Sequence, residues 1–140
     1  MATTTATITL SSADLLSDNL SLSATMNLYK GGTTATGLDQ MNYHRLVVPT
    51  GTSFDLIEES AALTEDANYV YIINKNTDVT DYVTISINAE EIGRLYAGDW
   101  MFMPWEAAAH TQDIEIQAYV ASQHIEWIAF HEGETLGAAA

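Results

Sequence analysis

"NYVYIINKNTDVTDYVTISIN", residues 68–88, decides the fold class. Its two apolar-rich runs, YVYIIN at 69–74 and YVTISIN at 82–88, are dense in Tyr, Val and Ile, the residues that suit a pleated, half-buried surface. In the second run Val83, Ile85 and Ile87 point one way while Tyr82, Thr84 and Ser86 point the other. That period of two belongs to a strand with one buried face. The polar stretch KNTDVTD between the runs predicts a hairpin with a long tip.

The same texture continues in both directions. Downstream, EIGRLY (91–96) and WMFMPW (100–105) flank the tight connection Ala97-Gly98-Asp99. DIEIQAYV (113–120) alternates with Ile114, Ile116 and Ala118 inward, and HIEWIAFH (124–131) is in places apolar on both faces, as expected of a central strand. Upstream, TATITL (5–10) alternates, and LSLSATMNLY (20–29) places Leu20, Leu22, Ala24, Met26 and Leu28 on one face. MNYHRLVV (41–48) stops at the turn signal Pro49-Thr50-Gly51, and SFDLIE (53–58) precedes a polar loop. Helical signals are sparse: SSADLLSDN has capping-box spacing from Ser11 to Asp14, and LIEESAALTEDA carries no persistent stripe. The expectation is an all-β chain, one β-sandwich or jelly-roll domain over residues 1–140, with roughly eight to ten short antiparallel strands. Residues 1–12 read as an extended N-terminal arm, 133–140 as a flexible tail and Gly31 to Gly37 as a mobile loop.

Composition narrows the function. Nineteen Asp and Glu against four Lys and Arg give a formal charge of −15. Such a surface repels phosphate backbones and anionic lipid, so neither nucleic acid nor membrane is expected as a partner. No cysteine is present, which excludes disulfides and thiolate metal sites. MATTTATITLSS has neither a basic nor an apolar signal region, and no apolar run reaches the length of a transmembrane helix.

Catalytic chemistry finds little support. His44, His110, His124 and His131 fall in no HxH or HExxH frame. His124 and His131, seven apart on one strand, stand roughly 23 Å from each other. Asn74, Asn76 and Asp78 alternate like the opening of a calcium loop, but Val79 replaces the required glycine and Ile85 the bidentate glutamate. A weak cation held by Asp78, Asp81 and carbonyls is the residual option. No serine sits in G-x-S-x-G, and the adjacent pairs Glu58-Glu59 and Glu90-Glu91 point to opposite faces of a strand. No enzyme activity, cofactor or resident metal is expected.

AGDWMFMPWEAAAH, residues 97–110, is the densest piece. Its Gly98-x5-Pro104 spacing resembles the second motif of cupins, G-x5-P-x-G-x2-H, in which a Gly-Asp turn starts a jelly-roll strand. Here Glu106 stands at the second glycine, His110 comes one residue late, and the His-x-His motif is missing. What carries over is the topology rather than a metal site, leaving a degenerate cupin as a third-ranked alternative. Trp100 and Phe102 share one face of the strand; Met101, Met103 and Trp105 share the other. A strand apolar on both faces is buried twice, or buried once and covered by a partner. Trp100, Met101, Met103 and Trp105, with Tyr96 and Arg94, are therefore candidate interface residues; Trp105 or Tyr96 would serve a glycan platform. Pro104 lacks an N–H, which places the strand at a sheet edge.

SADLLSDNLSLSATMNLYKGG, NYVYIINKNTDVTDYVTISIN, EIGRLYAGDWMFMPW and the closing IEWIAFHEG, after a Met-Ala-Thr-rich start, resemble the small β-rich virion proteins of marine tailed phages, including cyanophages. The likeness spans nearly the whole chain. It implies a non-enzymatic structural protein on the virion's capsid surface, a decoration (cement) protein. The implied partner is the major capsid protein or another virion protein, and the implied state a homo-oligomer, a trimer among the options. The alternative it leaves is a tail, fibre or glycan-binding β module.

Overall fold

Eight strands form two four-stranded antiparallel sheets, and two more form a separate ribbon, in a computed structural model that describes residues 4–14, 19–29, 34, 37–38, 40–57, 68–105 and 113–131. The ribbon is β1 (Thr5–Ser12) with β2 (Leu20–Asn27). The strands β3 (Gln40–Val48), β10 (Gln123–His131), β5 (Asn68–Asn74) and β8 (Trp100–Trp105) make the first sheet, in that spatial order. The second sheet runs β4 (Phe54–Ile57), β9 (Ile114–Ala118), β6 (Tyr82–Ile87), β7 (Glu90–Tyr96). From β3 onward the chain alternates between the sheets at every connection except β6–β7, and each sheet interleaves early and late strands. This is the jelly-roll order, so the predicted all-β sandwich is the fold. The ten strands divide, however, as eight in the sandwich and two outside it. No helix among the described residues is long and apolar enough to cross a membrane.

Alternation explains the core. Val70 and Ile72 of β5, Ile125, Trp127 and Ala129 of β10, Val83 and Ile85 of β6, and Ile114, Ile116 and Ala118 of β9 point between the sheets and are buried. Burying each such aliphatic side chain contributes roughly 1.5–3 kcal/mol. Pro104 lies near the end of β8, an edge strand, where a lost ladder donor costs least, and the doubly apolar β10 is central.

The predicted hairpin across residues 75–81 does not form, because β5 and β6 belong to different sheets. A seven-residue connection is long enough to step from one layer to the other, and its polar side chains staple it. Asn74 Oδ1 accepts from the Asn76 N–H at 2.9 Å and Asp78 Oδ1 from the Thr80 N–H at 3.0 Å, both i to i+2 Asx turns. Asn76 Oδ1 accepts from the His124 N–H at 3.2 Å. The two-residue hairpin lies further on, at Asn88-Ala89, with φ of 52° and 63°, the signature of a type I′ turn between β6 and β7.

In the capping-box candidate, Ser11 and Ser12 belong to β1 and Ser12 Oγ bonds to Asp14, while residues 15–18 lie outside the described residues. Of residues 1–12, Thr5–Ser12 are extended as β1, and β2 pairs with one edge of it along its whole length. The stretch 58–67, most of the Gly31–Gly37 loop and the tail 133–140 lie outside the described residues.

Candidate functional site

The register of the first sheet fixes what its outer face presents. Since Val70, Ile72 and Trp105 point inward, their neighbours Tyr69, Tyr71, Ile73, Trp100, Phe102 and Pro104 point outward. Cross-strand pairing then lays the face out in rows. Met41, Phe130, Tyr69 and Pro104 form the first, and Tyr43, Ile128, Tyr71 and Phe102 the second. Arg45, Glu126, Ile73 and Trp100 form the third, followed by Val47 and His124. Tyr69 stacks on Phe102 with ring centroids 5.5 Å apart, and Tyr71 meets Trp100 at 6.1 Å. Met41, Val47 and Trp100 are each more than half exposed, at 59%, 52% and 53%. Single exposed apolar residues are ordinary; a contiguous aromatic face is not.

Charge on this face is concentrated at one end. Arg45 Nε lies 2.8 Å from Glu126 Oε1 and donates to the Tyr43 hydroxyl at 2.9 Å. That hydroxyl, foremost, and then Glu126 raise the Arg45 pKa above its already high ordinary value, so the guanidinium stays charged. Arg45, Val47, Lys75, His124 and Glu126 line a groove of about 450 Å³. Two of the chain's four Lys and Arg thus meet on one face of a strongly acidic protein.

The six candidate interface residues separate into three places. Trp105 is buried in the core, and Met101 and Met103 pack against it, so their side of β8 meets the second sheet. Trp100 is on the outer aromatic face. Tyr96 and Arg94 lie on the opposite outer face, where Arg94 sits 4.5 Å over the Tyr82 ring and Tyr82 packs between Tyr96 and Tyr119. The hydrogen bond to Tyr96, foremost, raises the Arg94 pKa, with Glu91 next. Residues of one six-residue strand cannot share a face with the end of the preceding strand once the Gly98 turn, at φ 86°, crosses between sheets.

Other groups flagged by sequence have structural work. His44 stacks on Trp127 at 4.5 Å. Buried Asn74 donates from Nδ2 to the Leu95 carbonyl at 3.0 Å and to Gln123 Oε1 at 3.1 Å, tying β7 of the second sheet to β5 and β10 of the first. Asp78, imagined as a cation ligand, accepts from the Thr80 hydroxyl at 2.7 Å, and that bond, followed by the Thr80 N–H, holds its carboxyl below the ordinary pKa. Among the described residues no three His, Asp or Glu converge in a metal-holding group; His110 lies outside them.

Sequence reasoning missed most of the outer face. Met41, Tyr43, Ile128, Phe130, Tyr69 and Tyr71 come from three separate strands, and only the sheet order joins them. The available signal was double-sided apolarity in 69–74, the pattern already noted for 100–105 and 124–131. Neither a protein-family model nor a curated protein matches the chain.

Proposed function

We propose that the protein is a non-enzymatic virion structural component that docks by the outer face of the β3-β10-β5-β8 sheet onto a shell protein of a tailed phage, as a capsid decoration protein. One observation carries the reading: a contiguous aromatic and aliphatic face, with its charges confined to one end, on a chain of formal charge −15. Association there removes apolar area from water, and the one carboxylate in these rows, Glu126, is already paired with Arg45. The groove beside Arg45, Lys75 and His124 would receive an acidic side chain of the shell. The acidic remainder would face water and keep decorated particles apart.

The test is binding of purified protein to undecorated shells. Met41→Asp with Tyr43→Asp, two exposed positions on an edge strand, is expected to weaken binding by about tenfold or more with an unchanged circular dichroism spectrum. Undiminished binding by this folded variant would sink the proposal.

A second reading, a glycan-binding module, draws on Trp100 and Tyr71 beside a cleft of about 270 Å³. Buried Trp105 can no longer serve it. Specific hits on a glycan array, lost on Trp100→Ala, would favour this reading over docking.

A further inference from the structure

The β1–β2 ribbon is two-faced to a degree the sandwich strands are not. Its register places Ala6 opposite Met26, Ile8 opposite Ala24, and Leu10 opposite Leu22, with Leu20 at the end of the same side. The other side is entirely Thr, Ser and Asn: Thr7 pairs with Thr25 through their hydroxyls at 3.0 Å, and Thr5 donates to Asn27 Oδ1 at 3.0 Å. The base is anchored. The Leu28 N–H bonds to the Thr4 carbonyl, the Thr4 hydroxyl to the Leu38 carbonyl, and Leu28 and Leu38 are buried. Ala6, Ile8, Ala24 and Met26 line a small apolar cleft with Phe102 of the sandwich. Beyond that base the apolar side is uncovered, with Leu10 and Leu22 about half exposed.

We propose that this uncovered face is an interface between two copies of the chain, packed ribbon on ribbon about a two-fold axis. A two-stranded hairpin is marginal in water and needs a further layer against its apolar side. The layer must lack charge, because none of the sixteen residues in β1 and β2 is charged and an ionic partner would be desolvated with nothing to pair with. A second ribbon meets that condition. Between two chains of charge −15 it is also a contact that brings no carboxylate of either strand pair into the interface. The nearest described acid in sequence, Asp14, lies two residues beyond the end of β1, where its Oδ1 accepts from Ser12 Oγ at 3.1 Å. A two-fold axis makes one patch complementary to itself, and leucines from two sheets interdigitate at the ordinary inter-sheet spacing of about 10 Å. The proposal does not depend on what the sandwich docks to.

Sedimentation velocity of the full chain should give a species of at least two copies. Leu10→Asp with Leu22→Asp should weaken association by about tenfold or more, while Thr9→Asp with Ser23→Asp, on the other side of the same ribbon, should weaken it far less. All three tryptophans lie in the sandwich, so their near-ultraviolet signal reports its fold independently of the ribbon. The chain has no cysteine, so Leu22→Cys with a short bismaleimide should give a cross-linked pair and Ser23→Cys should not. Added salt should tighten the association by screening the like charges. A monomeric wild-type chain, equal effects of the two double variants, equal cross-linking, or loosening by salt would each overturn the proposal. A chain that self-associates but ignores shells would overturn only the docking proposal, and a monomer that binds shells only this one.

Discussion

Trp100 and Trp105 begin and end the same strand, and their surroundings could hardly differ more. Trp105 is 3% exposed within the core, whereas Trp100 stands half in solvent beside Tyr71. Trp105→Ala should cost about 3–5 kcal/mol of folding free energy, because it empties a large volume between two sheets. Trp100→Ala should cost about 1 kcal/mol or less, since solvent already reaches the ring. Urea unfolding of both variants checks the pair, and equal losses would contradict the assignment of faces. The odd and even positions of WMFMPW were separable from sequence, because a strand's period is two. Which side faced inward was not, because both are apolar; the answer comes from the pairing of Val70 with Met103 and Ile72 with Met101.

At the scale of elements, turn chemistry divides what was legible from what was not. KNTDVTD looked like a hairpin tip because two strand-like runs bordered it, yet its Asp78 bonds locally to Thr80, its Asn76 accepts from the His124 N–H, and the segment carries the chain between layers. The true hairpin turn, Asn88-Ala89, was harder to see because its second position lacks the glycine that usually marks type I′ turns. Ala89 at φ 63° is strained for a residue with a Cβ, while its N–H is held by Glu115 Oε1 at 2.8 Å. Ala89→Gly should therefore stabilise the protein by about 0.5–1 kcal/mol, even after the larger entropy glycine loses on folding. A lower unfolding midpoint for this variant would show that the turn is not under strain. The alternation in 5–10 and 20–29 correctly gave strands and their shared face. It did not show that they stand outside the sandwich, since alternation reports a two-sided strand and not what covers either side.

Over the whole molecule, the all-β sandwich was readable from patterning, while the outer aromatic face needed the strand order that brings β3, β10, β5 and β8 side by side. A formal charge of −15 also acts on the whole chain, through self-repulsion that salt relieves. The melting temperature should rise by roughly a few degrees between low salt and about 0.5 M sodium chloride, as the Debye length falls below about 5 Å. A melt followed by circular dichroism tests this, and a falling midpoint would mean that attractive ion pairs outweigh repulsion. The strand order also imposes a timetable. β3 pairs with β10 alone in its sheet, and about 75 residues separate them. During synthesis both strands of the ribbon emerge early and together, but β3 waits for the last strand of the sandwich to leave the ribosome. Until then Met41, Tyr43 and Val47 belong to an unpaired strand in a growing chain, and these exposed apolar residues are the ones most in need of protection from premature association.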